Sequence, residues 1–237
     1  MSQGWGRFYG IGVGPGDPEL LTLKAARILR QVPVVCYPRS TSGEGSMALA
    51  IAAGAVPLEG KELVPFPFSM SQPHSTDTWQ GALGQVLERL AEGQDCAFLT
   101  EGDPFLYSTF VYVYEHLRRH HPQVPLEVVP GVSSVTAAAA RAGVPLAAGR
   151  ERIAVLPGLY HPDAIGPALD ASDALVLVKV NRVLEVVQRE LAARGLVENA
   201  VLVRRATTPQ EEVLRGAAAL DGRVRDYFSL LIVRRVP

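Results

Sequence analysis

Short apolar runs alternate with stretches of helical period along this 237-residue chain, and three of the runs stop in turns built from glycine and proline. Alternation of that kind admits few architectures. Parallel strands need a crossover of a dozen or more residues, normally a helix, so strand–helix–strand order predicts an α/β fold with a largely parallel sheet. The first run, Phe8 to Val13, feeds the turn GPGD. Asp17 then stands as an N-cap, with Pro18 at the first helical position and Glu19 in the first turn. Leu21, Ala25, Ile28 and Leu29 recur at helical spacing, while Lys24, Arg27 and Arg30 take the other face. Val34 to Tyr37 reads as a buried strand closed by Pro38.

The same reading predicts helices over Met47–Ala53, from Trp79 to an end at Gly93, and over Ser108–Arg119, an extended segment Glu62–Phe68, and strands Cys96–Leu99 and Leu126–Val129. An alanine-rich helix, Ser133–Ala142, follows. Strands are expected at Ile153–Leu156, Ala174–Val180, Ala200–Val203 and Phe228–Val233. A helix capped by Asn181 should bury Val183, Leu184, Val187 and Leu191 and stop at Gly195. The length suits one large domain or two small ones. His121–Pro125 reads as a hinge, so the expectation is two α/β domains, 1–122 and 123–237, with a cleft between them.

Charge and composition narrow the partners. Lys and Arg number 23 against 24 Asp and Glu, a net charge of −1, which gives no footprint for nucleic acid. No run reaches the roughly 20 apolar residues of a spanning helix, and the opening residues carry no signal-peptide pattern, so a cytoplasmic protein off the membrane is expected. Cys36 and Cys96 sit in apolar runs and read as core thiols rather than a disulfide or a metal pair.

The chemistry lies in the turns. GIGVGPGD resembles a dinucleotide fingerprint at first sight, but the third glycine of G-x-G-x-x-G falls on Pro15 or Asp17, and no ribose carboxylate follows Tyr37-Pro38. Nor does it contain a GK[ST] phosphate loop. Alone, it reads either as a tight turn or as a place where backbone approaches a ligand. In TEGDPFLYSTF, Gly102 and Pro104 reverse the chain outside the end of a strand, and Glu101 and Asp103 supply acceptors suited to ribose hydroxyls. The bland alternative for Asp103 is a cap on the helix starting near Tyr107. In VVPGVSSVTAAAA, Ser133 and Ser134 can cap a helix, touch a ligand, or do both; on its own the cap is the better reading.

GxGPGD, EGDP and PGVSS, in this order and spacing, resemble the tetrapyrrole methylase family over essentially the whole chain. The EGDPFLYSTF form and the closing DYFSLLIV are similar to its precorrin-2 or cobalt-precorrin-2 C20-methyltransferase branch, whereas the uroporphyrinogen-III branch usually reads GGDP followed by a phenylalanine-glycine-arginine stretch. The resemblance implies an S-adenosylmethionine-dependent C-methyltransferase of cobalamin (corrin) biosynthesis, usually a homodimer, holding that co-substrate in the cleft. It implies cofactor contacts at Pro15, at Glu101, Gly102 and Asp103, at Leu106, at Ser133 and Ser134, at Val178 through the backbone, and at Ala206 in RRATTP. A sulfonium donor carries its own leaving group, which suits the lack of a catalytic triad or metal-ligand spacing. The group that removes the proton after transfer stays open among Asp103, Tyr107 and water.

A substrate rich in carboxylates would meet Arg39, Arg150, Arg152, Lys179 or Arg182 near expected strand ends, unless these are plain surface cations. His116, His120 and His121 fall at a polar helix end, where cations suit the dipole. His74 lies in a polar loop, SMSQPHSTD, that reads as a lid, and His161 lies in a second loop. None has metal-ligand spacing with a partner, and a cobalt contact by His74 or His161 stays open. The rival readings are methylation of uroporphyrinogen III or another corrin position, the protein-modifying diphthine synthase relatives, a nucleotide- or NAD-binding oxidoreductase, and a non-catalytic binding protein. Whether the substrate carries cobalt is not legible. Two substitutions test the site: Asp103→Ala should weaken cofactor binding more than the fold, and Gly14→Val should fill the glycine loop.

Overall fold

The structure, a computed structural model, describes residues 4–40, 45–68, 78–158, 161–180, 183–222 and 226–235. The chain divides into two compact units, Met1–Ser133 and Ser134–Pro237. The sequence placed this division after residue 122. It falls later because Leu126–Val129 pairs in register with Phe8–Ile11 and so belongs to the first sheet.

The first unit runs β1 (Phe8–Gly12), α1 (Leu23–Gln31), β2 (Val34–Ser40), α2 (Met47–Ala55), β3 (Glu62–Phe68), α3 (Gln80–Ala91), β4 (Cys96–Thr100), α4 (Phe110–His120) and β5 (Leu126–Val129). Its sheet has the order β3-β2-β4-β1-β5, every pair parallel. Alternation along the strands sorts the core into two layers, because successive side chains point to opposite faces. Phe8, Val34, Cys36, Cys96 and Phe98 pack with α3 and α4 through Leu83, Val86, Phe110 and Val113. Ile11, Val35, Ala97 and Leu99 pack with α1 and α2 through Ile28, Leu29, Ile51 and Ala52. Each fully buried Phe or Leu of this kind contributes about 1.5–3 kcal/mol by leaving water. Both cysteines are free and buried in the first of these layers.

Asp17 does cap, but it caps a short 3-10 turn, Pro18–Leu20, by accepting from Glu19 N–H at 2.9 Å. Helix α1 starts later, capped by Thr22, whose Oγ1 accepts from Ala25 N–H at 3.2 Å.

The second unit runs α5 (Ser134–Ala142), β6 (Ile153–Pro157), α6 (Ile165–Ala171), β7 (Ala174–Val178), α7 (Leu184–Ala193), β8 (Ala200–Arg204), β9 (Glu212–Arg215) and β10 (Ser229–Arg234). Its sheet has the order β6-β7-β10-β8-β9, and here the expectation of a largely parallel sheet fails. Only β6 and β7 run parallel; β10 inserts antiparallel between β7 and β8, and β9 folds back on β8. A short connection explains β9: among the described residues no α-helix separates it from β8, so the chain folds straight back, whereas β9 and β10 run the same way on either side of β8, joined through the 3-10 segment Gly216–Leu220. Val176, Val178, Val203, Leu230 and Ile232 face α5, while Leu175, Leu177, Leu202, Leu231 and Val233 face α6 and α7.

Helix α6 and strand β9 were not read from the sequence. Seven residues broken by Pro167, and four residues ending in charge, carry too little period to register. Strand β7 stops at Val178 rather than Val180, because Lys179 turns into the left-handed region at φ +57°. The proposed lid with His74, the Asn181 cap and Arg182 lie outside the described residues. Among the described residues, no helix is long and apolar enough to cross a membrane.

Candidate functional site

In the first unit, β4, β1 and β5 are neighbours, so the three motif turns leave the same edge of the sheet side by side. Carboxyl ends of parallel strands are where open α/β sheets receive ligands. Here the turns are also locked to one another. Val13 N–H donates to Thr100 O at 2.9 Å, and Gly102 N–H donates to Gly14 O at 2.8 Å in an isolated bridge between the first and second turns.

The glycines serve two distinct physical needs. At Gly12 and Gly131 the need is space. A β-carbon on Gly12 would lie 2.5 Å from Gly102 O and 2.7 Å from Gly131 Cα, and one on Gly131 would lie 2.1 Å from Gly102 O. Three backbones therefore meet where no side chain fits. At Gly14 and Gly102 the need is conformation, with φ +87° and +64°. A β-carbon at Gly14 meets Leu20 O only at 3.4 Å, an ordinary contact, so for a first added carbon the left-handed backbone is what demands glycine. Gly10 has a third use, since the ring of Phe110 occupies the place of its β-carbon.

Asp103 is committed to the backbone. Its Oδ1 accepts from Phe105 N–H at 2.9 Å and its Oδ2 from Gly131 N–H at 3.2 Å. The first bond closes the EGDP turn rather than capping a helix, since α4 starts only at Phe110, and the second bond ties the EGDP turn to the Pro-Gly turn. Each carboxylate oxygen keeps a further lone pair for a ligand. Buried Thr100 shares a 2.7 Å hydroxyl bond with Ser108, which accepts from Phe110 N–H at 3.0 Å and starts α4. Sequence reasoning passed over this pair, although an ST residue two before a helix is a readable cap signal. Between these anchors Phe105, Leu106 and Tyr107 are exposed, and Tyr107 adopts φ +54°. Pro15, half-buried Glu101 and Ser133 complete the first unit's share of the expected contacts. Arg39 is exposed near the end of β2, beside β4.

The second unit carries Ser134, Val178 and Ala206. Ser134 opens α5, and Val178 and Ala206 are both buried in the layer that faces that helix. The Val178 carbonyl accepts from Gly158 N–H at 3.1 Å. Among the described residues, non-glycine residues with left-handed backbone are Tyr107, Lys179, Arg205 and Thr207. Each adjoins an expected contact: Leu106, Val178, or Ala206 on both sides. Backbone strain of this sort gathers at functional turns, and nothing in the sequence announces it because glycine is absent there. Lys179 Nζ lies 5.4 Å from the ring centroid of Tyr227, within cation–π range. Arg150, Arg152 and His161 are exposed. His116 packs edge-on against Trp79, with ring centroids 5.4 Å apart, and burial lowers its pKa, helped by repulsion from His120, His121 and Arg119. Among the described residues, no group of three His, Cys, Asp or Glu side chains is placed to hold a metal ion.

The family described as Tetrapyrrole (Corrin/Porphyrin) Methylases matches residues 7–220. The Cobalamin biosynthesis protein CobIJ of Mycobacterium tuberculosis is 37% identical over 237 residues, which cover 96% of this chain and 46% of that protein. The chain therefore spans about half the length of that relative. The Precorrin-2 C(20)-methyltransferase of Sinorhizobium sp is 33% identical, with 97% of this chain and 96% of that one aligned. The Cobalt-precorrin-2 C(20)-methyltransferase of Salmonella typhimurium is also 33% identical, over 97% of each. Among solved structures, the Uroporphyrin-III C-methyl transferase from Thermus thermophilus complexed with S-adenyl homocysteine has TM-score 0.71 and 30% identity, covering 98% of this chain and 93% of that chain.

Proposed function

We propose, from the premise that this chain belongs to the tetrapyrrole (corrin/porphyrin) methylase family, that it transfers a methyl group from S-adenosylmethionine to C20 of precorrin-2 or cobalt-precorrin-2 in corrin biosynthesis. The observation that carries this reading is the meeting of three motif turns, backbone on backbone at Gly12, Gly102 and Gly131, beyond the carboxyl ends of adjoining parallel strands. The relatives that match nearly end to end, a precorrin-2 and a cobalt-precorrin-2 C20-methyltransferase, support C20 as the position methylated.

The donor set suits an adenosyl sulfonium. Ribose hydroxyls need acceptors, which Glu101 and Asp103 provide, and a cationic sulfur tolerates those carboxylates nearby. Ser133 and Ser134 add hydroxyl partners and Val178 offers its backbone; Pro15, Gly102 and Leu106 are the first unit's further proposed contacts, and Ala206 the second unit's. S-adenosylmethionine supplies a methyl group with its leaving group already attached, so that chemistry requires no protein nucleophile. The chain's work is orientation: locked turns hold the donor's contacts in place, and a fixed geometry saves the entropy of bringing two reactants into line. Arg39, Arg150, Arg152 and Lys179 are the proposed partners of the substrate's carboxylates. A homodimer acting in the cytoplasm completes the proposal; light scattering on the purified chain tests the first part.

The deciding experiment is an anaerobic assay with methyl-labelled S-adenosylmethionine, offering precorrin-2, cobalt-precorrin-2 and uroporphyrinogen III separately, with product masses read. One added methyl on a precorrin-2 ring, placed at C20 by NMR, is the expected result. Methylation of uroporphyrinogen III alone would overturn the position while leaving the family intact.

A further inference from the structure

Ala206 lies between two residues with left-handed backbone, Arg205 at φ +45° and Thr207 at φ +68°. Neither residue type favours that region, and a β-branched threonine is a marked outlier there. Such a turn persists only where its surroundings over-determine it. Two carboxylates do so. Glu211 Oε2 accepts from Thr207 N–H at 2.6 Å, and both Glu211 oxygens accept from Arg141 Nε of α5 at 2.8 Å. Asp226 Oδ2 accepts from Arg205 Nε at 2.6 Å, while its Oδ1 takes Phe228 N–H at 2.9 Å. Arg205 N–H also donates to Phe228 O at 2.9 Å, which fixes the same residue to the segment entering β10.

Both acids are well shielded, with side chains 14% (Glu211) and 17% (Asp226) exposed. Burial by itself raises the Asp226 pKa, but the bonds from Arg205 and Phe228 N–H outweigh it and hold the carboxyl below its ordinary range. The ion pairs Arg194 with Asp170 and Glu190, Arg234 with Glu151 and Arg204 with Glu212 include no left-handed residue. The two carboxylates at Ala206 are different in kind: each one grips one flank of the same strained turn.

We infer that Glu211 and Asp226 are positioning residues of the cofactor segment, holding Arg205-Ala206-Thr207 in the left-handed turn that presents Ala206 to the adenosyl donor. This rests on the reading of Ala206 as a cofactor contact. Neither acid is assigned a contact with the donor; Glu211 acts through the Thr207 N–H it accepts from, and Asp226 through the Arg205 guanidinium.

The test uses the full chain and S-adenosylhomocysteine as probe, with affinity by calorimetry, melting temperature, and kcat and KM for S-adenosylmethionine. Losing a charge-assisted bond to a backbone N–H predicts that Glu211→Ala weakens binding about ten-fold or more, with KM rising more than kcat falls. Glu211→Gln keeps an acceptor for Thr207 N–H and should restore most of the affinity. Thr207→Gly, placed in the Glu211→Ala background, should also restore it, because glycine takes a positive φ without being held. Asp226→Asn should give a smaller loss in the same direction. Should Glu211→Ala fail to fold, the Glu211→Gln and Asp226→Asn comparisons, each with and without Thr207→Gly, carry the test. Wild-type affinity in the acid variants, with binding lost in Ala206→Leu, would overturn the positioning role and leave the cofactor reading standing. Wild-type affinity in Ala206→Leu as well would instead overturn the cofactor reading. Loss in Glu211→Ala without rescue by Thr207→Gly would show that Glu211 acts other than through the turn.

Discussion

Replacing Gly131 by alanine adds one methyl group, and the structure says where it goes. The new β-carbon would lie 2.1 Å from Gly102 O and 2.8 Å from Gly12 C and Cα. Ordinary contact begins at 3.4 Å, so the turns must separate by more than an ångström on the Gly102 side. Overpacking of this kind costs about 1–3 kcal/mol where side chains can adjust. Here the obstructing atoms are backbone in two other turns, so the expected loss is about 3 kcal/mol, together with loss of S-adenosylhomocysteine binding. Two further glycines set the scale. Gly14→Ala has room but must hold φ +87°, which costs an L-residue about 1–2 kcal/mol. Gly84→Ala, within α3 and with nothing near its β-carbon, should stabilise by about 1 kcal/mol through helix propensity. Urea denaturation followed by circular dichroism gives all three stabilities, and calorimetry gives the affinities. A Gly131→Ala variant as stable as Gly84→Ala and still binding the nucleoside would refute the convergence of the three turns.

Asp103→Ala should lower both stability, by about 2 kcal/mol for its two backbone partners, and affinity for S-adenosylhomocysteine, whereas Asp103→Asn keeps one acceptor and loses less; an unchanged unfolding midpoint in the alanine variant would count against the bond to Gly131. His116 has its pKa lowered by burial first and by its cationic neighbours second, so its neutral form is favoured in the folded state. Its contribution to stability is complete above the unfolded value of about 6.5 and is lost as pH falls through the lower folded value. Denaturation midpoints should therefore drop between about pH 7 and 5, less steeply in His116→Gln, and an imidazole titrating above 6.5 by NMR would reverse the sign. Burial pushes the Cys96 thiol up to about 12 and the Cys36 thiol well above its ordinary value. Neither should react with a disulfide reagent near pH 8 until the chain is unfolded; rapid native labelling would contradict the core position of both.

Much of the first unit was legible because its strands and helices repeat one local rule. Residues such as Phe8, Ile11, Cys36 and Phe98 alternate or recur with the period of the element that buries them, and turns rich in glycine and proline mark where β1, β4 and β5 stop. The order of the three motifs is a property of the chain, and it pointed to the family before any coordinate was known. Roles were harder to read than places. Asp103 read as a ligand acceptor or a local cap, but its reach to Gly131 crosses 28 residues and exists only after β4, β1 and β5 align.

The second unit shows the limit more sharply. Its sheet is mostly antiparallel because β10 inserts between β7 and β8, a pairing chosen by long-range burial of Leu230 and Ile232 that no local period encodes. The left-handed turn at Ala206 is likewise invisible in RRATTP, where no glycine marks it, and it stands because Glu211, four residues on and anchored by Arg141 of α5, and Asp226, from the segment entering β10, hold it. The sequence by itself determined most of the elements, the motif turns and the family, since these depend on residues close along the chain. Only the tertiary structure decided which backbones touch, which carboxylates hold them and where strain is kept, because those interactions form between segments that are distant until the sheets assemble.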